Sequence, residues 1–210
     1  MLLKKWSLIA LGVVTIAPVI YVLAFTWFEG RQARQLQEKG RYAPAVGVGK
    51  RSAIVIYFSR SGNTALAARH IAHRLNAPIV SLEAPDYKLG PSGLIHAIRD
   101  ARGNESVITP KTVDLTPYDT VYLASPVWLY SPAPPIWAFA KNNRFDGKHV
   151  VLFNTYNSHF APEFIEAFRA QVLQNGARTF EHRYVLRGRW TRQLTPEQMT
   201  KAIDTVLFPE

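Results

Sequence analysis

IVIYFSRSGNT, residues 54–64, is the stretch on which the fold turns. An unbroken apolar run, Ala53–Phe58, leads into it, rich in β-branched side chains, as in a strand buried on both faces. Ser59-Arg60-Ser61-Gly62-Asn63-Thr64 follows and passes straight into a segment with Leu66, Ala67, Ile71 and Leu75 at helical spacing. Such a turn brings hydroxyls and exposed backbone N–H groups against the positive end of a helix dipole, which makes a phosphate cradle. Gly62 supplies the backbone freedom for a tight turn. No Gly-Lys-Ser/Thr follows, so this is not a Walker loop, and the three spaced glycines of a dinucleotide fingerprint are missing. A nucleophile elbow needs glycine at position 59, which is serine. The competing reading is a helix N-cap with nothing bound.

Outward from this unit, strand and helix patterns alternate. Pro78–Leu82, Thr120–Ala124, His149–Asn154 and Arg178–Leu186 read as strands. Ser92–Arg102, Pro134–Lys141 and Pro162–Asn175 read as helices, the last ended by Gly176. Thr195–Phe208 is a closing helix, with Thr195 as cap and Pro196 in the first turn. Five β–α units in succession predict an α/β fold: a doubly wound, five-stranded parallel sheet with helices on both faces. In such a sheet ligands sit beyond the carboxyl ends of the strands, near the topological switch point. The loops after Phe58, Ala124 and Asn154 are therefore where function is sought.

Composition narrows the chemistry. The 210 residues are 48% hydrophobic and 19% charged, enough apolar material for one sizeable core. There is no cysteine, which excludes disulfides, thiolate metal sites, iron–sulfur clusters and a cysteine nucleophile. Net charge is +10. Residues 1–41 carry six Lys/Arg against two Asp/Glu, so the remainder, 19 against 13, is basic in its own right. That balance favours anionic partners: lipid headgroups, a phosphorylated cofactor or an acidic protein. Aromatics are not interleaved with a basic stripe, so no nucleic acid is expected.

Trp6–Phe28 is a run of 23 residues without a charge. At 1.5 Å per residue it crosses a hydrocarbon core of roughly 30 Å. Trp6, Tyr21, Trp27 and Phe28 fall towards its ends, where interfacial aromatics belong. No small-residue cleavage site is seen, which favours an uncleaved anchor over a signal peptide. The expected organisation is a transmembrane anchor over 1–28, a tether over 29–50 and the α/β domain over 51–210. Glu29–Arg41 is polar and helix-compatible, so the anchor helix can run on into it, and Pro44–Lys50 is glycine-rich connection. Arg31, Arg34, Lys39, Arg41, Lys50 and Arg51 outnumber Lys4 and Lys5, which favours the cytoplasmic side of an inner membrane for the domain of a single-pass protein, while the two lysines ahead of a first helix argue for the N-terminus inside instead.

The second loop, Ser125-Pro126-Val127-Trp128-Leu129-Tyr130-Ser131-Pro132, offers two flat aromatics on a proline-braced turn. Beside a phosphate cradle they suit stacking on a ring system; alone, they would pack under the next helix. The third loop, Asn154-Thr155-Tyr156-Asn157-Ser158-His159, carries groups able to hydrogen-bond a ring edge.

At these residues the chain resembles a known family. IVIYFSRSGNT (54–64) looks like the opening strand and phosphate loop of flavodoxins. YDTVYLASPVWLYSPAPPI (118–136) and FDGKHVVLF (145–153) are similar to short-chain, flavodoxin-like FMN proteins whose second loop reads Pro-Ile-Trp-Trp. The resemblance covers about residues 53 to 190 and implies strand order 2-1-3-4-5 with noncovalent FMN. It implies that Ser59, Arg60, Ser61, Gly62, Asn63 and Thr64 hold the FMN phosphate. Pro126, Val127, Trp128 and Tyr130 would then line the isoalloxazine, and Asn154, Thr155 and Tyr156 would border its far side. Two departures stand out: the third loop lacks the family's glycines, and Leu129 stands where a second tryptophan is usual. The resemblance implies either one-electron shuttling or NAD(P)H-dependent quinone reduction, with a membrane-held redox partner or quinone as acceptor. A flavin-free binding or scaffold protein at the membrane is the alternative.

Other candidates are weaker. His70 and His73 are three apart on one helix, but no third ligand lies nearby, so no metal is expected. His159, beside the third loop, could protonate reduced flavin or a substrate but reads first as a surface histidine, and Glu163 and Glu166 read as water-facing. Arg183, Arg187, Arg189 and Arg192 around Trp190 could meet lipid phosphates or a nucleotide's phosphate, but read first as a solvated basic face. No catalytic residue is assigned.

Overall fold

The computed structural model describes residues 2–39, 52–189 and 192–209, with side chains from 17 to 36 in the first of these segments. Pro44–Lys50 and Trp190 lie outside the described residues. The first element is a long helix, α1 (Leu2–Lys39). Then β1 (Ala53–Tyr57), α2 (Asn63–Arg74), β2 (Ile79–Ser81), a 3₁₀ turn at Pro85–Tyr87 and α3 (Pro91–Asp100) follow. The chain continues through β3 (Thr120–Trp128), β4 (Ser131–Pro132), α4 (Pro134–Asn142), β5 (His149–Tyr156), α5 (Pro162–Gln174), β6 (Thr179–Leu186) and α6 (Pro196–Leu207).

Five strands run parallel in the order β2-β1-β3-β5-β6, which is the expected 2-1-3-4-5 arrangement of the long strands. The count of five is corrected to six by β4, which folds back antiparallel on β3 with Val127 opposite Pro132 and Trp128 opposite Ser131. β3 itself runs four residues past the predicted Ala124. Ser125 and Pro126 stay in register with Asn154 and Thr155 of β5, so the strand passes through residues that read as loop because of the proline.

The period of two in β1 explains the layering. Ile54 and Ile56 point to one core with Leu123, Leu152, Ile136, Phe139 and Phe168, which includes α4 and α5. Ala53 and Val55 point to the other core with Leu66, Ile71, Met199 and Ile203, which includes α2 and α6. A strand covered on both sides has no polar face to expose, hence its continuous apolar sequence.

The expected anchor Trp6–Phe28 lies within α1, which continues through the boundary at residue 28 to Lys39. Among the described residues, no helix is long and apolar enough to cross a membrane. Further along, Ala33 and Leu36 of α1 are buried, Leu36 joining the α2/α6 core.

Candidate functional site

The chain leaves β1 for β2 on one side and returns to β3 on the other, so the switch point lies between the carboxyl ends of β1 and β3. A cavity of about 450 Å³ opens there. Ser59, Arg60, Ser61, Asn63 and Thr64 line it from the first loop, Pro126–Tyr130 from the second, and Thr155–His159 from the third. Three segments separated widely in sequence thus meet where the reading of the motifs placed them.

In the first loop Gly62 has φ +92, a left-handed conformation that side chains other than glycine adopt only with strain. Its amide donates to Ser59 Oγ at 3.2 Å, and Asn63 Nδ2 donates to Ser61 Oγ at 3.2 Å. α2 starts at Asn63 with no side-chain cap, so its first-turn N–H groups have no acceptor from that source. Gly62 is not itself a lining residue; a Cβ there would sit 3.2 Å from Leu36 Cβ, because α1 lies directly over the turn. Thr64 and Thr155 share a buried hydroxyl–hydroxyl hydrogen bond of 2.8 Å. One hydroxyl hydrogen is consumed in that pair and the other remains to donate.

The second loop is a hairpin whose two central residues, Leu129 and Tyr130, have φ +41 and +81. Both signs match a type I′ turn, normally built from Asn and Gly, so the tip holds strain. Trp128 packs edge-on against Phe58 and Tyr87, with centroids at 5.5 and 5.1 Å, while still bordering the cavity. Burial, then the nearby Asp100 carboxylate, pushes the Tyr87 phenol up to about 12, so it stays a neutral partner for the indole. Tyr130 lies against His159 at 4.6 Å, and the Arg102 guanidinium sits over the Tyr130 ring at 5.5 Å.

In the third loop the expectation for Asn154 is corrected. It is fully buried and does not line the cavity. Its Nδ2 donates to the Ser125 carbonyl at 3.0 Å and its Oδ1 meets His182 Nε2 at 2.9 Å, so both ends serve to join β3, β5 and β6. Tyr156 borders the cavity from an aromatic cluster with Phe160 and Tyr184, each centroid 5.5 Å away.

Two contributions were not anticipated from the motifs. Tyr21, Phe25, Phe28, Glu29 and Gln32 of α1 line the same cavity, and the Glu29 carboxylate accepts from Arg60 Nη1. Their spacing of three and four is a helical face, and that signal was present in the sequence. The second contribution comes after β6. Arg187 is buried, not part of a solvated face: its Nε and Nη2 donate to Asn157 Oδ1 at 3.1 and 2.9 Å. Burial lowers its guanidinium to about 10, with the Glu29 carboxylate acting in the opposite direction. Arg189 donates to Ser158 Oγ at 2.9 Å and also faces the cavity. Three arginines against one carboxylate leave the lining positively charged, a match for a phosphoryl dianion.

The remaining candidates fall outside the cavity. His70 is buried and meets Asp204 of α6 at 2.8 Å, His73 is exposed, and no metal-binding cluster occurs among the described residues. Glu163 and Glu166 are exposed, Glu166 pairing with Arg169 at 3.2 Å. Arg183 pairs with Glu181 on the sheet edge.

The arrangement has the parts of a site for a planar, phosphorylated ligand: uncapped amides, hydroxyls and arginines at one end, aromatic and apolar walls elsewhere. Its volume is in the range for such ligands, roughly 300–1,000 Å³. One further observation fits. Among the described residues, Arg60 Nε is buried without a hydrogen-bond partner, a donor open to a ligand oxygen.

The flavodoxin family model matches residues 52–174. Among solved structures, a candidate flavoprotein from Bacteroides uniformis is similar at TM-score 0.54 and 18% identity, covering 73% of this chain and 97% of that one. A flavoprotein from Lactobacillus acidophilus in complex with FMN is similar at TM-score 0.51 and 20% identity, covering 63% and 93%. A second candidate flavoprotein, from Bacteroides eggerthii, gives TM-score 0.51 and 16% identity over 74% and 97%. At these identities the likeness is one of fold. No curated protein matches.

Proposed function

Because this chain belongs to the flavodoxin family, we propose that it is an FMN-dependent electron-transfer protein held at a membrane by its N-terminal helix. FMN is the cofactor that both family membership and the FMN-bound Lactobacillus relative support. The observation that carries the reading is the meeting, at the switch-point cavity, of an uncapped helix N-terminus with the unpartnered, buried Arg60 Nε.

FMN when bound supplies one- and two-electron redox chemistry. The chain's own residues bind and orient it. Ser59, Ser61, Asn63 and Thr64, with the first amides of α2, would hold its phosphate at the positive end of the helix dipole. Pro126, Val127, Trp128, Tyr130, Thr155 and Tyr156, which line the cavity, would border the isoalloxazine. The aromatic and apolar walls exclude water and so set the polarity around the ring, which governs how readily it takes electrons.

The membrane part of the reading is supported by the uncharged run from Trp6 to Phe28 and by the described end of α1. There Val19, Ile20, Leu23 and Trp27 form an exposed apolar stripe. At the cavity mouth Tyr21, Ile98, Leu129 and Tyr130 are all exposed as well as lining. A large exposed apolar rim suits a lipid surface or an apolar partner. The proposed acceptor is accordingly a quinone or another membrane-held redox partner, with NAD(P)H as a candidate donor and the domain on the cytoplasmic side. The test is to purify the full chain in detergent and record its visible spectrum. Flavin absorption that is bleached by dithionite and restored by a short-chain quinone is the expected result. A colourless protein that takes up no added FMN refutes it and leaves the flavin-free scaffold reading.

A further inference from the structure

Resting on the FMN reading, we propose that Glu29 of α1 is a positioning residue for Arg60, and that the Arg60 Nε–H selects phosphorylated flavin over riboflavin. Both residues matter because of how the guanidinium is held. The Arg60 side chain is only 4% exposed and Glu29 14%. Nη1 donates to the Glu29 carboxylate, and Nη2 donates to the Gly90 carbonyl at 3.2 Å. A guanidinium is planar, so fixing both terminal nitrogens fixes the direction of the third N–H. That third donor is the one without a partner.

The clamp comes from outside the flavodoxin match. Glu29 precedes residues 52–174, and a second tie from α1 reaches past them: Gln32 Nε2 donates to Gln193 Oε1 at 2.8 Å. Arg187 Nη1 donates to that same Gln193 oxygen at 3.0 Å. Glu29 therefore faces Arg60 directly and feels Arg187 as well. One half-buried carboxylate paired with Arg60 and acting on the buried Arg187 leaves one positive charge uncompensated, and Arg60 lines the cavity together with its loop neighbours Ser59 and Ser61. An arginine held in this way donates a charge-assisted hydrogen bond to a phosphoryl oxygen without first losing side-chain freedom. Riboflavin, lacking the phosphate, gains nothing from it.

The experiment titrates FMN and riboflavin separately into the full chain in detergent, following flavin fluorescence. The chains are wild type, Arg60→Met, Glu29→Gln, Glu29→Asp and the double variant Glu29→Gln/Arg60→Met. Arg60→Met is expected to weaken FMN by about 10- to 100-fold while riboflavin affinity stays within about threefold. Glu29→Gln shifts the FMN-to-riboflavin ratio in the same direction by a smaller factor, and Glu29→Asp restores part of it. The double variant removes both members of the Arg60–Glu29 pair and leaves Arg187 on its Asn157 and Gln193 acceptors, so it reports selectivity even if Glu29→Gln alone does not fold. Wild type binding FMN with a ratio unchanged in Arg60→Met and in the double variant overturns this proposal and leaves the FMN reading intact. Wild type binding neither flavin overturns both.

Discussion

Replacing His182 with glutamine should remove a pH dependence of stability that wild type shows between pH 7 and pH 4. The His182 ring is half-buried, 4.8 Å from the Phe160 ring and 5.3 Å from Tyr184. Its Nε2 meets Asn154 Oδ1 at 2.9 Å. Asn154 Nδ2 is committed to the Ser125 carbonyl, so Oδ1 is the acceptor and Nε2 carries the hydrogen; Nδ1 is the bare nitrogen of the neutral ring. Burial lowers the imidazole from 6.5 to about 4. Between those values the unfolded chain binds a proton and the folded one does not, so unfolding is favoured as pH falls. The contribution is complete above pH 6.5, shrinks as pH drops towards 4, and is gone below it. At about 1.4 kcal/mol per pH unit the depression caps the effect at about 3 kcal/mol. Solvent screening of a half-buried ring reduces this to about 2 kcal/mol. A glutamine amide in place of the imidazole would keep a donor for Asn154 but not titrate. Denaturant unfolding of both proteins at about pH 7.5 and pH 4 separates the effect, since carboxylate titrations are common to both. Wild type should lose about 2 kcal/mol more than His182→Gln over that interval. Equal losses in the two proteins would refute the reasoning.

Other substitutions probe other parts of the structure. Gly62→Ala forces an L-residue to φ +92 and puts a methyl 3.2 Å from Leu36. It should cost about 2 kcal/mol and lower Tm by about 4–8 °C, and should speed tryptic cleavage at Arg31 and Arg34 as α1 lifts. Leu129→Asn relieves strain at φ +41 on an exposed hairpin tip and should raise stability by about 0.5–1 kcal/mol, read as a higher Tm. Thr195→Ala removes the capping box with Gln198 at the start of α6 and should cost about 1 kcal/mol in chemical denaturation. Phe168→Ala empties a fully buried site against Trp137, with centroids at 4.8 Å, and should cost about 3–5 kcal/mol by the same measurement.

The parts of the fold legible in the sequence were those where burial and pattern coincide. β1 reads as a strand because both of its faces are covered, and α6 because Thr195 and Pro196 announce its start. β4 was missed because two paired residues make no pattern, and β3 was cut short because Pro126 reads as a break. Of the site, the first loop was legible because a polar turn between strand and helix has few alternatives. Asn154 was misassigned because a polar residue at a strand end looks the same whether it faces a ligand or a neighbouring strand. Arg187 was misread for the converse reason: charge patterning suggests solvent, and only the fold shows Asn157 and Gln193 waiting for the guanidinium. The role of α1 was hidden by hydropathy. The helix whose apolar run, Trp6–Phe28, suggests lipid also carries Phe25, Phe28, Glu29 and Gln32 along one face, and that face lines the cavity.

The central claim is that the switch-point cavity holds FMN. Titrating the apo chain, full length and in detergent, into a fixed FMN solution tests it most directly. The account predicts fluorescence quenching that saturates at one FMN per chain and is reversed by dilution. Flavin fluorescence that stays unchanged at every protein concentration would contradict it.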